Sequence, residues 1–122
     1  MTLSPYAATK LFCEGMMRAW SFSYGLDTAV LRYFNIFGPR QDPASPYSAV
    51  IPIFVSRLLN DQPVVIYGDG SQSRDFTHID NVVAANLLAA TVPGVSGGVY
   101  NVGCGVAVNL IELLQMICER LE

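Results

Sequence analysis

Ser4-Pro5-Tyr6-Ala7-Ala8-Thr9-Lys10-Leu11 opens a stretch that has the local chemistry of a helix start. A serine followed by proline suits an N-cap and first helical residue, because proline lacks only an N–H that no helix could use there. The run from Tyr6 to Tyr24 holds no proline and meets Gly25, a helix stop, so one long helix is predicted. Working outward, Thr28 to Phe34 is an apolar, β-rich run, and Asn35 to Tyr47 carries Gly38, Pro39, Pro43 and Pro46. A strand entering a long irregular loop is expected there, and loops of that length are often functional. Ser48 to Asn60 reads as a helix that tolerates Pro52 near its first turn, and Val64 to Tyr67 as a strand stopped by Gly68-Asp69-Gly70. Arg74 to Ile79 is a short strand or extended piece, Asp80 caps a helix to about Ala90, and Val99 to Val102 is another brief strand. Asn109 with Glu112 three residues on makes a capping box for a last helix, Leu110 to Leu121. Helices alternating with short strands make the fold class α/β, and no repeat, low-complexity tract or linker divides residues 1–122.

Composition narrows the function classes. The 122 residues are 52% hydrophobic and only 14% charged, far from a disordered composition and rich enough to suggest burial against something beyond the chain. Seven Lys and Arg against ten Asp and Glu give a net charge of −3, so the electrostatic footprint of a nucleic-acid binder is absent. Cys13, Cys104 and Cys118 have neither CxxC spacing nor a metal-ligand pattern with His78, so no metal is expected and they read as buried small hydrophobes in a reducing cytosol. Met1-Thr2-Leu3-Ser4-Pro5 is not the start of a signal peptide, and apolar runs such as Ala49 to Val55 are far shorter than a bilayer span. The expectation is a cytoplasmic protein.

Tyr6 and Lys10 are one helical turn apart, so their side chains share a face. A phenol is a poor base near neutral pH, and an adjacent ammonium favours its phenolate, which makes the pair a candidate proton-transfer site. Lys10 is the only lysine in the chain. The bland reading is a half-buried Tyr beside a solvated Lys. Simple alternatives exist elsewhere too: Arg74 with Asp75 and Arg40 with Asp42 as surface pairs, Asn35 capping its own loop, Tyr33, Phe34 and Phe37 as core. His78 reads as a structural histidine, and Asp80 as an N-cap.

The segment Ser4 to Leu11 resembles the active-site helix of the extended short-chain dehydrogenase/reductase family, where small residues follow the Tyr. Further similarities follow in the family's order: Leu31-Arg32-Tyr33-Phe34-Asn35-Ile36-Phe37-Gly38-Pro39-Arg40, Val64 to Gly70, Arg74-Asp75-Phe76-Thr77-His78-Ile79-Asp80-Asn81-Val82, and Tyr100-Asn101-Val102-Gly103. Five ordered motifs cover essentially the whole chain. The resemblance is to the NAD-dependent nucleotide-sugar epimerases and dehydratases, with UDP-hexose and UDP-N-acetylhexosamine 4-epimerases preferred on Arg40-Gln41-Asp42-Pro43 and Ser45-Pro46-Tyr47-Ser48. It implies a fragment of a Rossmann-type domain, the end of its parallel sheet, plus most of the smaller substrate-binding lobe.

Several roles follow from the resemblance. Tyr6 would be the acid/base at a sugar hydroxyl, and Lys10 would hold the nicotinamide ribose of NAD and favour the ionised Tyr6. Tyr33 would sit beside the cofactor. Phe34 and Asn35 would meet the substrate, the Asn amide donating to sugar or diphosphate, while Arg74 would pair with the diphosphate. Val50, Val65 and Tyr67 would wall the base. The implied chemistry is epimerisation of a UDP-sugar through a 4-keto intermediate, and the implied assembly is a homodimer or other oligomer through the first helix. Alternatives are a nucleotide-sugar 4,6-dehydratase or decarboxylase fragment, or a non-catalytic nucleotide-sugar binding or assembly module. No glycine-rich turn for the cofactor pyrophosphate occurs in the sequence, and both ends read as cut, so the expectation is that the cofactor-binding half is missing and that this piece alone is inactive.

Overall fold

The computed structural model describes residues 4–45 and 48–121. Pro46 and Tyr47, which the preferred motif above includes, lie outside them. Nine elements follow in order: α1 (Pro5–Tyr24), β1 (Ala29–Tyr33), β2 (Asn35–Phe37), α2 (Val50–Leu59), β3 (Ser73–His78), α3 (Ile79–Thr91), β4 (Gly98–Val102), β5 (Ala107–Asn109) and α4 (Leu110–Leu121). The class is α/β, as the alternation predicted. The chain forms two compact units, one from residues up to Arg32 with Val83–Val102, the other from Tyr33–Val82 with Gly103 onward.

In the first unit α1 begins as its sequence dictates. Ser4 Oγ accepts from the Ala7 N–H at 3.1 Å, Pro5 is the first helical residue, and Gly25 ends the helix in the left-handed region at φ 66°. β1 pairs with β4 in a two-stranded sheet. Arg32 reaches from β1 to Glu14 on α1 with two parallel bonds, Nε to Oε1 at 2.8 Å and Nη2 to Oε2 at 2.6 Å. That fork holds the Glu14 carboxyl below the usual carboxylate range. Buried Thr28 donates its N–H to Ser96 Oγ and its hydroxyl to the Met17 carbonyl, tying β1 to the turn before β4 and to α1.

The second unit is built on a three-stranded sheet of order β2-β3-β5. β2 runs parallel to β3 with Asn35 opposite Phe76 and Phe37 opposite His78, while β3 and β5 are antiparallel with Arg74 opposite Val108. A parallel neighbour requires a crossover, and the 38–72 connection with α2 supplies it. α2 packs on α4, where Phe54 is 2% and Leu113 7% exposed; burying a side chain such as Phe54 stabilises by roughly 1.5–3 kcal/mol. The capping box forms as predicted: Glu112 N–H donates to Asn109 Oδ1 and Asn109 N–H to Glu112 Oε2.

Several expectations are corrected. Asn35–Phe37 is a strand and not the start of a loop, because β3 offers a parallel partner that no local signal reveals. Val64–Tyr67 is not a strand and joins neither sheet. β5 was not anticipated, being only three residues long. The helix expected from Ser48 begins at Val50. Asp80 is not the N-cap of α3: it lies inside the first turn, and His78 Nδ1 accepts its N–H at 3.3 Å. Cys13 and Cys104 are exposed and Cys118 is half-buried, so none is the buried hydrophobe expected.

Candidate functional site

α1 carries the proposed proton-transfer pair on an exposed face. Tyr6 is 71% exposed, and Lys10 Nζ lies 5.3 Å from the centroid of its ring, the one-turn relation that their spacing imposes. Lys10 makes no ion pair among the described residues. α1 buries none of its residues: Leu11, Phe12, Met16, Trp20 and Phe22 are all exposed.

The remaining candidates lie in the second unit, where Tyr33, the last residue of β1, is 43% exposed. Asn35, Val50 and Arg74 come together. They line one cavity of about 250 Å³ with Gln72, Phe76 and Leu110. Asn35 enters from β2, Arg74 from β3 and Val50 from the first turn of α2. That turn contains no acidic residue, and Ala49 provides no side-chain cap, so the positive end of the helix dipole is left for something else to satisfy. Arg74 donates from Nη1 to its neighbour's carbonyl, Ser73 O, and has no carboxylate partner among the described residues. A guanidinium lining the same cavity as an uncapped helix start has the charge and the donors that an anion requires.

Asp75 is not the surface partner of Arg74. Its carboxylate instead accepts the N–H groups of Cys104 at 2.9 Å and Gly105 at 2.8 Å, pinning the turn after β4. Gly103 is required there, since a Cβ would stand 2.6 Å from Asp75 Oδ2. Asn35 donates from Nδ2 to the Asp75 carbonyl at 3.3 Å, which commits one amide hydrogen and leaves Oδ1 unspent. It does not cap its own loop.

Phe34, Val65 and Tyr67 do not line this cavity; Val65 and Tyr67 are 50% and 84% exposed. Tyr33 and Phe34, for which core was the simple alternative, are likewise exposed. A larger cavity of about 510 Å³ lies between the Gly38–Pro43 loop and α2 and takes in Arg40 and His78, but none of the proposed substrate residues. Its size does not make it the better site, for it lacks both the uncapped helix start and Arg74. Arg40 makes no ion pair with Asp42, whose carboxylate caps the Ala44 N–H. Among the described residues no cluster of His, Cys, Asp or Glu could hold a metal ion, and no helix is long and apolar enough to cross a membrane.

Sequence reasoning missed Ala49, Gln72 and the structural role of Asp75. Pro52, three residues into α2, could have signalled a helix start at Val50. Nothing local pointed to Gln72.

Residues 1–103 match the model of the NAD dependent epimerase/dehydratase family. The UDP-N-acetylglucosamine 4-epimerase of Methanobrevibacter ruminantium M1, solved in complex with UDP-N-acetylmuramic acid, is 48% identical over 99% of this chain and 38% of its own, with a TM-score of 0.93. A putative UDP-glucose 4-epimerase of Methanocaldococcus jannaschii is 37% identical over 94% of this chain and 36% of its own length. DesIV, a dTDP-glucose 4,6-dehydratase of Streptomyces venezuelae solved with NAD and TYD bound, is 33% identical over 99% of this chain and 36% of its own, with a TM-score of 0.82. The chain thus spans little more than a third of the length of these relatives.

Proposed function

The chain belongs to the NAD dependent epimerase/dehydratase family, and on that premise we propose that it is the substrate-side portion of an NAD-dependent UDP-sugar 4-epimerase acting on a UDP-N-acetylhexosamine or UDP-hexose. In this reading it comprises the end of a Rossmann-type domain and most of the substrate lobe. The observation that carries it is the convergence of Asn35, Val50 and Arg74 on one cavity at the uncapped start of α2. A nucleotide-sugar diphosphate fits that arrangement. Arg74 forks onto its oxygens, the N–H groups of Val50 and Ile51 at the start of α2 face the same charge, and Asn35 Oδ1 accepts from a sugar hydroxyl. Val65 and Tyr67 offer exposed apolar surface for the base.

Tyr6 moves the proton at its phenolic oxygen. The ammonium of Lys10, 5.3 Å from the centroid of the Tyr6 ring and without an ion pair among the described residues, suits the ribose hydroxyls of the nicotinamide end. NAD, held on this side by Lys10 and Tyr33, would supply the hydride acceptor and donor. Tyr33, exposed at the end of β1, completes the cofactor side of this reading.

Assembly is part of the same proposal. The exposed apolar residues of α1 suit a second copy of the chain, giving a homodimer in the cytoplasm. Sedimentation velocity at tens of micromolar tests it, with a monomer as the adverse result.

A second reading has support, since dTDP-glucose 4,6-dehydratases are among the relatives. Titrating the chain with UDP and with dTDP, each against the Arg74→Ala variant, separates the cases. UDP binding that weakens about 10- to 100-fold in the variant supports the epimerase reading. A clear preference for dTDP supports the dehydratase, and unchanged affinity in a folded Arg74→Ala chain refutes the site.

A further inference from the structure

Pro63–Tyr67 is an irregular segment that joins no sheet. The backbone groups of Val64, Val65 and Ile66 make no hydrogen bond among the described residues, and no strand neighbours them. A segment of this kind has no ladder to fix its position. It is nevertheless braced at both ends by side chains. Arg57, in the last turn of α2, donates from Nη1 to the Pro63 carbonyl at 3.0 Å. Gln72 donates from Nε2 to the Tyr67 carbonyl at 2.9 Å. Between Tyr67 and Gln72 the turn is locked from within. Gly68 and Gly70 adopt φ 83° and 75°, and Asp69 Oδ1 accepts both the hydroxyl and the N–H of Ser71. The turn is also anchored outward, because Leu110 N–H donates to the Gly70 carbonyl and a Cβ on Gly70 would meet Ile111 at 2.8 Å.

Gln72 has a second relation that Arg57 lacks: it lines the cavity that holds Arg74 and Asn35. One residue therefore lines the candidate diphosphate cavity and bonds the segment bearing Val65 and Tyr67. Only its amide nitrogen can face Tyr67, since a carbonyl oxygen accepts and does not donate, so the orientation is fixed by chemistry.

We propose that Gln72 is a positioning residue for the nucleobase. Its amide holds the Val65–Tyr67 segment in register with the Arg74 cavity, so that one ligand can engage both. This rests on the diphosphate reading of that cavity given above. Removing the donor frees the carboxyl end of an unpaired segment, and the loss falls more on the base than on the anion, because Arg74 is retained.

The test titrates the chain with UDP and, separately, with inorganic pyrophosphate, in the parent, in Gln72→Met and in Arg74→Ala. Methionine keeps length and volume and removes the donor. The expected result in Gln72→Met is a loss of about tenfold for UDP, the scale of one hydrogen bond, and a clearly smaller loss for pyrophosphate. Arg74→Ala weakens both probes. UDP binding unchanged in Gln72→Met, or equal losses for the two probes, overturns the positioning role while leaving the cavity reading in place. A parent chain that binds neither probe refutes the cavity reading, and the role of Gln72 falls with it.

Discussion

Replacing Asp75 with alanine removes both acceptors that pin the turn at Cys104 and Gly105, whose N–H groups donate to them at 2.9 and 2.8 Å. A hydrogen bond to a charged group contributes about 1.5–3 kcal/mol. Cys104 and Gly105 are exposed, so water can replace the carboxylate and no buried donor is orphaned. The lower end of the range applies to each bond, and Asp75→Ala is expected to cost about 3 kcal/mol. Asp75→Asn keeps one acceptor and turns an N–H toward the other donor, so it should cost nearly as much. Gly103→Ala attacks the same contact from the other side, since its Cβ would stand 2.6 Å from Asp75 Oδ2 and 3.0 Å from Phe34 Cδ2. If the carboxylate is what it displaces, most of its cost should vanish in the Asp75→Ala background, because the two changes share one interaction. Urea unfolding followed by far-ultraviolet circular dichroism measures all four chains, with unchanged slopes indicating a pure stability effect. An Asp75→Ala cost below about 0.5 kcal/mol, or a Gly103→Ala cost undiminished in its presence, would refute the clamp.

Glu14, held below its ordinary value by the Arg32 fork, should add stability above the unfolded-state value and lose it as pH falls through the lowered folded value. Glu14→Gln should therefore lower the urea midpoint at neutral pH and show a smaller further drop in acid than the parent; identical acid limbs would contradict this. Asn109→Ala removes the acceptor for the Glu112 N–H and should cost about 1 kcal/mol, read from the same urea midpoints. NAD should bind the 122-residue chain weakly or not at all, because no glycine-rich turn is present to cradle its pyrophosphate; micromolar binding by calorimetry would count against that.

What could be read in the sequence depended on how local its cause was. The start and end of α1, and the capping box of α4, are fixed by residues within four positions of one another, and they appear as read. Tyr6 and Lys10 share a face for the same reason. β2 and β5 exist because β3 lies between them, a condition set by residues about 40 and 35 positions away from their partners. Val64–Tyr67 has the composition of a strand and no neighbour to make it one, so its place depends on Arg57 and Gln72.

Asn35 marks the limit most sharply. Its residue type announces a group that can donate and accept, and the resemblance assigned it a donor's role toward the ligand. Which atom a ligand meets depends on where the other hydrogens go, and one of them goes to the Asp75 carbonyl at 3.3 Å. Asp75 in turn occupies its place because its carboxylate is bound to Cys104 and Gly105, nearly thirty residues further along. The unspent oxygen of Asn35 is thus the outcome of three segments meeting. It leaves a hydrogen-bond acceptor in the same cavity as a guanidinium donor, the polarity on which the proposed nucleotide-sugar reading draws.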